Sequence, residues 1–259
     1  MVSDTVVTVV LAVAAWQAEA PPRVTDAEAK AAVAAFDAVA SRKGKALPAV
    51  EEYETKKALK DLAAKDHPLV AKRIAALVEK EKEKRPDLSR EAFARLLDQK
   101  ASPKTVEPAV LAVLQDGKAP PDDVRTALRG VGEFRFADLL DETAALLSHK
   151  SDAVALDAVK TLGALGDRRA LRPILDFYEV NELKPGQSVS VNVDTGAAGG
   201  RDAAAAARAG KARQKQRRGN REEVLAACQE VSSALTGAKI EKAEELRAWM
   251  RDHRAELKD

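Results

Sequence analysis

From Thr25 onward, apolar side chains recur every three to four residues, the spacing of helices with one buried face. Thr25 and Glu28 have capping-box spacing, and Ala29, Ala32, Val33, Phe36 and Val39 then share a face. A second helix is predicted from about Pro48 to Ala64, with Val50, Tyr53, Leu59 and Leu62 directed inward. A third follows Asp66 to Pro68 and carries Val70, Ile74, Leu77 and Val78. The all-charged run Glu79 to Arg85 reads as a solvated helix end or linker, stopped at Pro86. Further segments are centred on Phe93, Leu96 and Leu97, and on Val106, Val110, Val113 and Leu114. After Gly117 and Pro120-Pro121 come Val124, Ala127, Leu128 and Val131, then Phe136, Leu139, Leu140, Ala144 and Leu147. Val154, Ala158, Leu162 and Leu165 follow, then Leu171, Ile174, Leu175 and Tyr178. The connections are short, which places successive helices antiparallel.

An internal repeat organises these segments. VRTALRGVGE from Val124 aligns with ALDAVKTLGA from Ala155, an interval of 31 residues. Ala127 then matches Ala158, Leu128 matches Val159, Val131 matches Leu162 and Gly132 matches Gly163. Two helices per period of this size mark an α-solenoid, because one hairpin cannot bury its apolar face alone and stacked hairpins can. The stretch Ser151 to Tyr178 resembles the bacterial HEAT repeat of the phycobilisome-lyase type, in its Leu162-Gly163 pair, its Gly166-Asp167 turn and the spacing of Leu171, Ile174 and Leu175. The resemblance covers Lys104 to Tyr178 well and Pro48 to Lys100 more loosely. It implies a curved helical stack used for protein contacts, and its motifs are structural, so no functional residue carries across.

After Tyr178 the pattern stops. Residues 183–220 are rich in Gly, Ala and basic side chains and read as a flexible insertion within one repeat. Val189, Val191 and Val193 alternate like a strand, and Gly196, Gly199 and Gly200 follow, yet GxGxxG is not satisfied and no parallel sheet is at hand. Helical spacing returns at Val224, Cys228, Val231 and Leu235. The helix they define reads as the second half of a hairpin begun at Arg168. Leu246, Trp249, Met250, His253 and Leu257 mark the last helix. The ending, Leu235-Thr236-Gly237 and a Trp-bearing helix, is similar to the termini of exported bacterial HEAT-repeat proteins.

Composition fits this picture. The 46% hydrophobic content is mostly Ala, Leu and Val, with five Phe, two Trp and two Tyr, which suits closely packed helices. The net charge of +2 implies no polyanionic partner by itself. Arg208, Lys211, Arg213, Lys215, Arg217, Arg218 and Arg221 nevertheless gather seven cations with no acid between them. Such a strip can hold phosphate or an acidic protein surface. No aromatic residue is available to stack bases, so nucleic acid is the weaker partner. At the amino terminus Val6 to Ala15 is an apolar run too short to span a bilayer. With small residues at Ala14, Ala15, Ala18 and Ala20 it fits a secretory signal over residues 1–20, although Asp4 and no cation precedes it.

Little chemistry is apparent. Cys228 stands alone and reads as a small core residue. His67, His149 and His253 match neither HExxH nor paired His-Glu dipeptides and read as cap, surface or packing residues. There is no GxSxG elbow, Cys-His pairing or P-loop. Asp122-Asp123 and Glu51-Glu52 sit at helix starts, where carboxylates favour the macrodipole. The expectation is therefore an all-α chain, a solenoid of HEAT-like hairpins over residues 25–182 with helices at 221–259 completing and capping it. It would be exported to the periplasm and act as a scaffold for a protein partner, with no cofactor, metal or catalytic residue implied. A polyanion binder using residues 208–221 is the alternative, and an enzyme built on the same scaffold comes third.

Overall fold

A computed structural model describes residues 24–41, 48–182, 221–255 and 257. The expected signal segment, the Val189–Val193 run and the basic positions from Arg208 to Arg218 lie outside these residues. Eleven α-helices are described: α1 Asp26–Ala40, α2 Pro48–Ala63, α3 Pro68–Glu81, α4 Pro86–Leu96, α5 Pro103–Gln115, α6 Pro121–Phe134, α7 Leu140–Ala145, α8 Asp152–Leu165, α9 Leu171–Glu182, α10 Arg221–Thr236 and α11 Ala243–Asp252. Every regular element among the described residues is helical, and the fold is all-α. None of these helices is long and apolar enough to cross a membrane.

Local chemistry sets the helix starts. The Thr25 hydroxyl accepts the Glu28 amide at 3.3 Å, and the Glu28 carboxylate accepts the Thr25 amide at 2.8 Å, so the capping box forms. Proline opens α3, α4, α5 and α6, where a missing N–H costs nothing. His67 and His149 each accept a backbone amide two residues on through Nδ1, at 3.2 and 3.0 Å. In His67 that leaves the proton on Nε2, directed at Asp26 Oδ1 3.0 Å away.

The helices pack in two rows. Hairpin partners α1–α2, α3–α4, α5–α6, α7–α8 and α9–α10 touch one another. Neighbouring pairs also touch, α1, α3, α5 and α7 in order and α9 with α11 on one side, and α2 with α4 and then α6, α8 and α10 in order on the other. Leu128, Val131, Val159, Leu162, Leu171 and Ile174 are completely shielded between the rows. At roughly 25 cal/mol per Å² of apolar surface, such positions supply most of the driving force. Buried polar groups are tied in as well. Gln99 donates from Nε2 to the Ala63 carbonyl at 2.8 Å and accepts the His67 amide at 3.3 Å, joining the ends of α2, α3 and α4. The Tyr178 hydroxyl donates to the Glu241 carbonyl at 2.7 Å, pinning α9 to the turn before α11.

The structure corrects three readings. Val50 and Tyr53 are exposed, not inward, because α2 turns Thr55, Leu59, Leu62 and Ala63 to the core, and Val50 and Tyr53 fall on the opposite side of the helix. The segment around Leu139 to Leu147 is not one helix. A single α-turn region, α7, is flanked by 3-10 turns at Ala137–Leu139 and Leu146–Ser148, and Leu139, Leu140 and Leu147 still reach the core. The charged run Glu79 to Arg85 is not wholly solvated. Glu81 is buried at the end of α3 and accepts from Arg85 at 2.7 Å, which holds its carboxyl below the usual range.

Candidate interaction surface

Among the described residues, reactive side chains do not converge on one place. Cys228 on α10 is fully buried among apolar neighbours, and desolvation pushes its thiol up to about 12, so it stays protonated and inert. His67 and His149 are spent on capping. The His253 ring stacks on Trp249 at 4.1 Å and donates from Nδ1 to the Trp249 carbonyl at 2.9 Å. Arg168 lies over the other part of this cluster, 5.6 Å from the Trp249 ring. Among the described residues no three His, Cys, Asp or Glu side chains are placed to share a metal ion. Of the seven cations singled out in the basic strip, Arg221 opens α10 and the other six lie outside the described residues.

Two surface features stand out. The first is a ladder of ion pairs across the second row. Arg90 of α4 reaches Asp123 of α6 at 3.1 Å, Arg125 of α6 reaches Asp157 of α8 at 2.6 Å, and Lys160 of α8 reaches Glu223 of α10 at 3.8 Å. The hydrogen bond it donates to Asp157 is the main reason the Arg125 guanidinium is held above its ordinary value. The sequence does carry a signal for this ladder. Asp87-x-x-Arg90, Asp122-x-x-Arg125 and Asp157-x-x-Lys160 recur at intervals of 35. Between α6 and α8 the helix starts repeat at 31, so the ladder climbs one helical turn there.

The second is a wedge. At their carboxyl ends α4 and α6 converge: a Cβ placed on Gly130 would sit 2.8 Å from Leu97 Cδ2. Toward their amino-terminal ends they leave a pocket of about 170 Å³. Val78, Phe93, Ala109, Ala112 and Val113 contribute its apolar lining. Charge surrounds the opening. Lys82 pairs with Asp116 at 3.3 Å on one edge, and Arg90 pairs with Asp123 on the other. Asp116 also accepts the Lys118 amide at 3.0 Å, the largest cause of its lowered carboxyl pKa. Sequence reasoning missed this wedge. Its signals were the alanines at 109 and 112, on the side of α5 away from Val106 and Val110, and the Gly117 to Pro121 turn that carries α6 across.

Compared with protein-family models, curated proteins and solved structures, the chain matches none.

Proposed function

We propose that this chain is an α-solenoid of HEAT type that serves as a scaffold for a protein partner. The observation that supports the reading is the packing of successive helices in pairs, α1 with α2 through α9 with α10, and the contacts that α1, α3, α5 and α7, and α6, α8 and α10, make in order. Such an array offers long lateral surfaces to a partner. The 31-residue repetition supports the same reading. Ala127 and Ala158, Leu128 and Val159, and Val131 and Leu162 are all buried at matching places in α6 and α8.

Two measurements test it. Deleting residues 221–259 removes α10 and α11, and should leave the remaining helices folded with lower stability, because each helix is held by its neighbours. Loss of the whole helical signal in circular dichroism would contradict a solenoid. Capture from the native host with a photo-crosslinker on exposed positions of α4, α6 and α8 should return one stoichiometric protein. Turnover of a small molecule, with no such protein, would replace the scaffold reading with an enzymatic one.

A further inference from the structure

We propose that α1–α4 swing as one body against α5–α11 about the contact of Leu97 with Gly130, with the ion pairs Lys82–Asp116 and Arg90–Asp123 as latches across the mouth of the wedge. The two edges of this junction are built differently. At one edge a Cβ on Gly130 would stand 2.8 Å from Leu97 Cδ2. Lys100, in the turn after α4, pairs there with Glu133 at 2.5 Å and lies 4.4 Å from the centre of the Phe134 ring. Glycine offers no side chain to interlock with its neighbour, so this contact can roll without unpacking. At the other edge a gap of about 170 Å³ lies between Val78 and Phe93 on one side and Ala109, Val113 and Pro120 on the other. Lys82 at the end of α3 crosses to Asp116 at the end of α5 at 3.3 Å, and Arg90 of α4 crosses to Asp123 of α6 at 3.1 Å. Lys82 and Arg90 are 55% and 49% exposed, so each latch opens at little cost.

Away from this junction the helices are braced along their length. Arg125 and Asp157 join α6 to α8 near their starts at 2.6 Å, and the Thr161 hydroxyl donates to the Leu128 carbonyl midway at 3.3 Å. Near their ends a Cβ on Gly132 would meet that of Ala164 at 3.6 Å. Gly163 packs against Val231 to hold α8 to α10, and Tyr178 holds α9 to the turn before α11. On the near side Arg73 joins α3 to Asp37 of α1 at 2.5 Å, and Gln99 joins the ends of α2, α3 and α4. Two braced bodies that meet at a glycine and part at a gap have the build of a hinge. Its angle sets how the surfaces of the two bodies face one another, whatever binds them.

The test places nitroxide spin labels on the full chain and reads their separation by double electron–electron resonance; Cys228 is buried and stays unlabelled. One pair, Lys57→Cys on α2 and Arg172→Cys on α9, spans the joint. The other, Lys104→Cys on α5 and Arg172→Cys, lies within one body. The spanning pair should give the broader distribution of distances. Lys82→Gln with Arg90→Gln removes both latches and should broaden it further, leaving the inner pair unchanged. Ala112 is exposed on α5 and lines the gap, so Ala112→Trp props the joint and should narrow the spanning distribution. A spanning pair as narrow as the inner one would overturn the proposal. Broadening of both pairs alike, or a spanning pair indifferent to both variants, would overturn it too. Each of these outcomes leaves the scaffold reading untouched, since no partner takes part.

Discussion

Gly132 and Gly163 occupy matching places in the repeat and differ in what a methyl group would meet. At Gly163 a Cβ would lie 2.7 Å from Val231 Cγ2 and 3.0 Å from Cγ1 on α10, whereas at Gly132 it would lie 3.6 Å from the Ala164 Cβ on α8. Valine is stiff about χ1 and cannot swing both methyls away. Gly163→Ala should therefore destabilise by about 1–2 kcal/mol, overpacking outweighing the helix-propensity gain. Gly132→Ala should stabilise by up to about 1 kcal/mol, since its contact is ordinary. Urea unfolding of the two variants checks both signs together. A second residue pair was hidden from the sequence. Arg135 and Gly166, again 31 apart, both stand in the left-handed region at the ends of α6 and α8, with φ of 53° and 72°; Gly237, just past α10, has 71°. These are the positive-φ residues among those described, and they share one role. Arginine bears a steric cost there that glycine does not, so Arg135→Gly should raise stability by a few tenths to about 1 kcal/mol in the same assay.

At the scale of elements, most helices were legible because their apolar spacing and their prolines agreed. Pro68, Pro86, Pro103 and Pro121 mark starts within a residue or two, and periodicity supplies the buried face. Where the two signals were thin, the reading slipped. In α2 the apolar residues are too few to fix the helix rotation, and Thr55 takes an inward place that spacing alone gave to Tyr53. Around α7 the spacing of Leu139, Leu140 and Leu147 is the same for one helix as for a turn of α flanked by 3-10, so only packing could decide. The end of α3 was misjudged because composition sees seven charges and not the Glu81–Arg85 contact. That contact has a measurable consequence. The carboxyl of Glu81 is held below its ordinary value by Arg85, so its contribution to stability is fully present above the unfolded carboxyl range near pH ~4.3 and is lost as pH falls through the lower folded value. Glu81→Gln should be less stable than the parent at neutral pH. The gap should narrow as acid is added, as followed by urea unfolding from pH 7 to pH 3. A constant gap would place the cost in packing, not charge.

For the molecule as a whole, the repeat interval told more than any single motif. It gave the all-helical class and the positions buried between α6 and α8, because a buried face must recur wherever a hairpin recurs. It could not give the wedge, which arises from a departure from regularity: α4 and α6 meet at Gly130 and part toward their starts. Nor could it rank the hairpins by stability. Interior helices are covered on more sides than α1 or α11, so amide exchange should be slowest in α6 and α8 and fastest in the two outer helices of the first row. Hydrogen exchange followed by mass spectrometry would show this as a gradient. Uniform protection from α1 to α11 would mean the molecule unfolds only as one unit.

The ladder from Arg90 to Glu223 also bears on mechanics. Its three rungs join α4 to α6, α6 to α8 and α8 to α10, so a force that separates these helices pulls on the rungs between them. Every rung involves side chains that water reaches, worth about 0.2–1 kcal/mol apiece and weakened by added salt. The helices on the other side are bridged in the same way, Arg73 to Asp37 between α3 and α1 and Lys82 to Asp116 between the ends of α3 and α5. Concentrated salt should thus loosen the polar seams on both sides alike while the apolar contacts persist, so that the molecule softens without bending toward either side.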